Sequence, residues 1–522
     1  MQRQPTGQIA RARSPGRILG RLLGALSIAA TLGCSNNPGE DPPSDRVAFP
    51  SGLLVDPRVP ETEPARWLFV TNANSDRRFN GGSLLAIDLD AFWDNATGAV
   101  GEIQPAGTEL PDEAGNVCRR IANMPQTVEC LEEPFVANPD ATVFVGNFPG
   151  PATAWVRDGD RARLLIPVRG DPSITYVDVS GDPHGDVSFE CGQGEGNRCG
   201  DANRLRFYRN DEDSTRLSRE PFRVLVSESL ETPLAYVSHQ GDPDVTLIAL
   251  DGVHAGDGSP AIIHQANLLG LADFSVNFQG GFGLAERPCD VEAAPNSTIG
   301  CSRPLVYGAL RHLPQLQLMT AVNHYEPGLE SAGACVDGQD VQLGDPGAFV
   351  CDPQAEPVRR VDAGGLPQTL SPASSRPYLG DIGFSRTGDE LYVVQSNPGA
   401  LLRVDTSVDV DGNTVDLPAG LVEVCSDPTS LAIYSDPEEG VEYGVVTCYR
   451  SGEVFIVDLA SLTVVGLSRA GIGPDAIAVD LAREVIYVAN TLDATISVIS
   501  MAESSPSRFT EIARIGLQEP YV

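Results

Sequence analysis

Eleven cysteines, six histidines and 36 arginines, with no lysine anywhere, set the side-chain chemistry open to this chain. Ten of the cysteines fall into sequence neighbours: Cys118 and Cys130, Cys191 and Cys199, Cys289 and Cys301, Cys335 and Cys351, Cys425 and Cys448. Short loops close at the least entropic cost, so five local disulfides is the simplest pairing, and it implies an exported, oxidising compartment. No Cys-x-x-Cys pair supports zinc, an iron–sulfur cluster or covalently held haem, and the histidines (184, 239, 254, 264, 312, 324) never take His-x-x-x-His spacing. A Gly-x-Ser-x-Gly elbow is missing too. Without lysine there is no Schiff base and no phosphate-loop lysine, which argues against nucleoside triphosphate chemistry. The residues therefore imply no metal, no cofactor and no catalytic group, and a binding role before an enzymatic one.

Two short motifs offer weak alternatives. The Arg-Gly-Asp at Arg169–Asp171 precedes Pro172 and reads as a turn before it reads as an adhesion tripeptide. The stretch "SVDVDGNTVD" (407–416) offers Asp409, Asp411, Asn413 and Asp416 as oxygen donors around Gly412, but it lacks the closing Glu of a calcium loop and reads as an Asp-Gly hairpin turn.

Any ligand must then be met by polar turns, and the elements that hold those turns repeat along the chain. "VIYVANTLDATISVIS" (485–500) is an alternating apolar run, a polar break and a second alternating run, the pattern of two adjacent strands. The same pair begins near Trp67, Arg163, Leu234, Pro304, Glu390 and Glu442. A strand precedes several pairs ("SGLLVD" 51–56, "YLGDIGFS" 378–385, "PTSLAIYS" 428–435, "PDAIAVD" 474–480), and "TEIARIGL" (510–517) follows the last. Four short antiparallel strands per unit, seven times over, predict an all-β seven-bladed β-propeller with disulfide-stapled loop insertions, because each small sheet can bury its faces only against its neighbours. Eight blades follow if "TVFVGNFPGPATAWV" (142–156) forms its own; it reads here as the inner strand before Arg163.

"YVAN" with "SVIS", the preceding "GIGPDAIAVD" and "FVTN" at 69–72 resemble the YVTN repeats of bacterial surface and exported β-propellers, most densely over residues 430 to 520. Related propellers include sugar-lactone hydrolases, surface-layer proteins and interaction scaffolds, so the resemblance implies a fold and supplies no catalytic residue. In such a ring the second-to-third-strand turns share a face with the blade-to-blade connections. The Cys-bearing insertions near 95–140, 181–220, 252–300 and 323–375 are expected on that face, stapled also by Cys425 and Cys448. Its turns supply the candidate contacts: Asn72, Arg169, Asp171, His239, Arg311, His312, Asn397, Arg450 and Asn490.

The N-terminus carries five arginines and no acid before "LLGALSIAATLG", a signal peptide over 1–33 that is too short to span a bilayer as a mature helix. Its "TLGC" ending resembles the lipobox of bacterial lipoproteins, which makes Cys34 the lipidated residue, 34–46 a polar Pro-rich tether and 47–522 the propeller. The mature chain has 31 arginines against 71 acids, a net charge near −40 that repels nucleic acid. The expectation is a monomeric, lipid-anchored propeller at the outer membrane, facing periplasm or cell surface and binding an envelope protein or glycan. The alternatives are a lactonase-like hydrolase working in the central channel and a surface-layer protein.

Overall fold

The computed structural model describes residues 39–98, 103–137, 141–207, 216–228, 233–250, 258–267, 280–288, 305–311, 315–323, 353–362, 378–409, 414–436 and 440–517. Cys34, Cys289, Cys301, Cys335, Cys351, His312, Asp411 and Asn413 lie outside them.

Among the described residues the strands fall into seven sheets, each built on four antiparallel strands running outward from an inner first strand. Blade 1 is Pro50–Val55, Trp67–Asn72, Gly82–Asp88 and Val143–Val145; blade 2 is Thr153–Asp158, Arg161–Val168, Ser173–Ser180 and Ser188–Glu190, with Arg204–Leu205 sharing its outer edge. Blade 3 is Pro221–Ser227, Leu234–His239, Asp244–Ala249 and Ala261–Asn267; blade 4 is Gly281–Glu286, Leu305–Leu310, Gln315–Asn323 and Pro353–Asp362. Blade 5 is Tyr378–Phe384, Glu390–Ser396, Ala400–Asp405 and Leu417–Glu423; blade 6 is Pro428–Ser435, Glu442–Cys448, Glu453–Asp458 and Thr463–Arg469. Blade 7 is Pro474–Asp480, Val485–Asn490, Thr495–Ser500 and Glu511–Ile515. The 142–156 stretch is thus split, its start forming the outer strand of blade 1 and its end the inner strand of blade 2.

Packing explains why seven weak sheets hold together. Seven hydrophobic clusters lie between blades, one at each interface, including the closing one where Leu68, Val70 and Leu85 of blade 1 meet Tyr487, Ile496 and Val498 of blade 7. Second strands such as "WLFVTN", "LAYVSH" and "VIYVAN" are buried along their whole length because both of their faces are covered by a neighbouring blade. Each fully buried Leu, Ile or Val there contributes about 1.5–3 kcal/mol. Two second-strand tyrosines anchor their hydroxyls: Tyr307 donates to Asp416 (2.7 Å), and Tyr487 accepts from the Trp93 indole (3.1 Å). Asp416 is thus committed to a blade contact, and Val408 pairs with Thr414 across the predicted hairpin turn.

Three predicted disulfides are formed: Cys118–Cys130, Cys191–Cys199 and Cys425–Cys448. The location expected for the insertions is corrected. The 89–142 segment joins the third and fourth strands of blade 1, 287–304 the first and second strands of blade 4, and 324–352 its third and fourth strands. These connections leave from strand ends on the face opposite the second-to-third turns. Cys191–Cys199 lies at the outer edge of blade 2, where the 191–203 segment reaches blade 1 through a Phe144–Arg198 bridge. Of the three disulfides among the described residues, Cys425–Cys448 staples the expected face. Residues 39–46, predicted as tether, are already docked: the Asn80 amide donates to the Glu40 carbonyl, and Thr142 donates to the Ser44 carbonyl.

Candidate functional site

Six of the seven inner strands break register near their start, between Pro50 and Gly52, Pro221 and Arg223, Gly281 and Leu284, Leu379 and Ile382, Pro428 and Leu431, and Pro474 and Ile477. A bulge bends the strand and re-aims its side chains, and proline tolerates the unpaired position. Around the ring the result is a collar of polar side chains at the channel end shared with the second-to-third turns.

The collar is hydrogen-bonded across the channel. Arg223 of blade 3 donates to Asp381 of blade 5 (3.1 Å) and to Ser430 of blade 6 (3.1 Å), and Ser430 donates in turn to Asp475 of blade 7 (3.0 Å). Blade 4 stands aside because its inner strand offers Gly283, where a Cβ would come within 2.7 Å of the Ile382 nitrogen. Asp381 also accepts from the backbone of Ile382 and Leu431. Burial nevertheless pushes its carboxyl above the usual range, against the pull of Arg223.

Beside the collar opens a cavity of about 690 Å³ lined by Arg311, Tyr378, Asn397, Asp427, Tyr449 and Arg450, among others. Its charges differ in their partners. Arg450 meets Asp427 at 3.2 Å, whereas the Arg311 guanidinium makes no hydrogen bond or ion pair among the described residues. Arg169 stands outside the cavity lining, its guanidinium 5.6 Å from the Phe222 ring centroid and its buried Nε without a hydrogen-bond partner among the described residues. Burial holds the Arg169 pKa below its ordinary value; Asp475 and Glu220 oppose this, while the positive charges of Arg223 and Arg311 add to it. Tyr449 is pushed up by burial and by the charge of Asp475.

The sequence candidates separate accordingly. Arg311, Asn397 and Arg450 line the cavity, with Arg169 near it. Asn72, His239 and Asn490 end their second strands and are buried inside the blades: Asn72 donates to Ser83, His239 bonds Thr246 at 2.8 Å, and Asn490 donates to Thr495 and Ser497. Burial lowers the His239 pKa to about 4. Asp171 is turned outward and paired with Arg204, Arg206 and Arg216, which fits the turn reading of its tripeptide. Sequence reasoning missed Arg223, Asp381, Ser430, Asp475 and Tyr449. The readable signal for three of them was a proline two or three residues before an apolar one, as in "PFRV", "PTSL" and "PDAI".

A larger cavity, about 910 Å³, opens at the opposite mouth and is rich in acids, yet Asp56 is locked to Arg58 and Asp480 to Arg483. Among the described residues no three His, Cys, Asp or Glu side chains gather into a metal-binding set. At the 690 Å³ mouth the arrangement can hold an anion by guanidinium groups and accept hydrogen bonds at carboxylates.

No protein-family model matches the chain, the YVTN repeat included, and no curated protein matches it. Among solved structures it is similar to a periplasmic gluconolactonase of Pseudomonas aeruginosa, at 14% identity over 82% of this chain and 86% of that one, TM-score 0.40. It is similar also to hydrazine synthase of Kuenenia stuttgartiensis, at 12% identity over 87% and 96%, TM-score 0.45. Likeness at this level carries no activity across, and the propeller rests on the seven sheets themselves.

Proposed function

We propose that the protein is an exported, lipid-anchored binding protein of the cell envelope whose propeller engages a protein or glycan at the arginine-bearing mouth. The observation that carries the reading is a concave cavity on a rigid collar with Arg311 unpaired among the described residues at its wall, in a chain whose net charge is −35. An unpaired guanidinium half-sunk in a cleft costs desolvation energy, and an anionic ligand offsets that cost. Three disulfides fit an oxidising compartment, and among the described residues no helix is long and apolar enough to cross a membrane. Lipidation of Cys34 would then supply the anchor. The hydrolase alternative would need a free acid or base at the cavity, whereas Asp427 is paired with Arg450 and Asp381 with Arg223.

The test is crosslinking of the full chain in the envelope fraction, wild type against Arg311→Ala with Arg450→Ala. Loss of the captured species in the variant supports the reading, and an unchanged set refutes it. Cys34→Ser, expected to release the chain from the membrane fraction, tests the anchor separately.

A further inference from the structure

We infer that the mouth is a subsite for the carboxylate of an acidic glycan, a uronic-acid unit held by Arg311 with Arg169 behind it; this rests on the binding reading above and names the ligand. Two features choose a carboxylate. The Arg311 guanidinium is the cation of the cavity wall left without an internal acid among the described residues, since Arg450 has Asp427 and Arg223 has Asp381. Arg169, outside the lining but close enough for its charge and that of Arg311 to repel, adds a second positive charge with its buried Nε unmatched among the described residues, so incoming negative charge relieves that repulsion. Carboxylates fit the planar guanidinium fork in two parallel hydrogen bonds.

Three features choose a sugar over a peptide. The cavity volume suits a small ligand or a chain end, not a flat protein patch. Its wall alternates Tyr378 and Tyr449, on which an apolar sugar face can lie, with Asn397, Asp427 and Thr429, which exchange hydrogen bonds with hydroxyl groups. The strands ending there are paired on both sides within their sheets or face the channel as inner edges, so the cavity holds no open outer edge that could read an extended peptide by its backbone. The overall negative charge does not forbid such a ligand, because at physiological ionic strength charges beyond about 8 Å are screened and the local arginines dominate.

Titration calorimetry on the full chain tests this with three probes: a trigalacturonate, its methyl ester as the uncharged isostere, and a triglutamate peptide of equal charge. The expected result is binding of trigalacturonate alone, weakened about tenfold or more by Arg311→Gln and left unchanged by Arg120→Gln, an exposed arginine on the hairpin at residues 118–130. Unaltered denaturant midpoints of both variants confirm that they fold. Equal binding of the ester overturns the carboxylate assignment, and equal binding of the peptide overturns the sugar. If no probe binds while envelope crosslinking still depends on Arg311 and Arg450, the glycan assignment falls and the binding reading stands; if crosslinking is indifferent too, both fall.

Discussion

Replacing Arg223 by Met tests whether the collar is an electrostatic construction or only a lining. The guanidinium and the Asp381 carboxylate are 15% and 16% exposed and 3.1 Å apart, with Ser430 as a second acceptor. Removing one partner of so buried a pair leaves a charge unpaired, which costs about 3–5 kcal/mol; the slight exposure places the expectation at the low end, about 3 kcal/mol. Burial already raises the Asp381 pKa in the folded protein, so the folded state holds its proton more tightly than the unfolded chain does. Stability tied to that proton is fully present below the unfolded carboxyl range and is lost as pH rises through the folded pKa. In Arg223→Met the opposing guanidinium is gone, the folded pKa climbs further, and the deficit against wild type should shrink as pH is lowered from 8 toward 4. Adding Asp381→Asn should recover most of it at neutral pH, because an amide needs no counter-charge. Denaturant unfolding of wild type, both single variants and the double variant between pH 4 and 8 gives the cycle. A single variant within about 0.5 kcal/mol of wild type with no pH trend, or a double variant no better than Arg223→Met, would refute the reasoning.

Three further outcomes are expected. His239, held neutral with a pKa of about 4 against an ordinary 6.5, takes up a proton on unfolding below pH 6.5; stability is constant above that value and falls by about 3 kcal/mol as pH drops to 4. His239→Gln should remove that part of the acid limb in unfolding curves. Cys118→Ser with Cys130→Ser opens a loop with a sequence separation of 12, and the chain-entropy cost of about 3 kcal/mol should appear as a lowered denaturant midpoint in non-reducing buffer alone. Asn490→Ala deletes a buried amide that donates to Thr495 and Ser497, so it should cost about 1–3 kcal/mol by the same measurement and leave ligand binding intact.

The propeller was legible because the second and third strands carry their period in full: Ile486, Val488, Ile496 and Val498 alternate whatever surrounds them. Their immersion between blades makes those runs apolar enough to stand out. Apart from Glu511–Ile515, the fourth strands were not legible. Val143–Val145 and Ser188–Glu190 are three residues long, too short to show a period, and without them third-to-fourth insertions could not be told from blade-to-blade connections. That ambiguity put the 89–142, 287–304 and 324–352 connections on the wrong face, while 268–280 and 363–377 do join one blade to the next, as expected. The site was half legible for a related reason. Asn72 and Asn490 look like turn residues, but each still pairs across its hairpin, with Ser83 and Thr495, and so belongs to the buried strand. Arg223, Asp381, Ser430 and Asp475 look like strand residues, and only the bulges turn them to the channel.

The mouth and the ring closure are mechanically one problem. Blade 7 is built from a continuous C-terminal run, so the ring is not closed there by sharing a sheet between the chain's two ends. Its outer strand Glu511–Ile515 instead pairs in parallel with Met124–Cys130 from the blade 1 insertion, widening the sheet to six strands. Thr127 donates to the Glu511 carbonyl, the Gly516 amide donates to the Cys130 carbonyl, and Cys118–Cys130 fixes the hairpin that presents this edge. Asp475, the far end of the polar chain from Arg223, sits on the inner strand of the same blade. A blade free to swing would stretch that chain and widen the cavity between Arg311 and Leu492. The insertion on one face thus serves the binding mouth on the other by holding blade 7 in register, a role for which its outer-edge position suits it better than any contact with ligand.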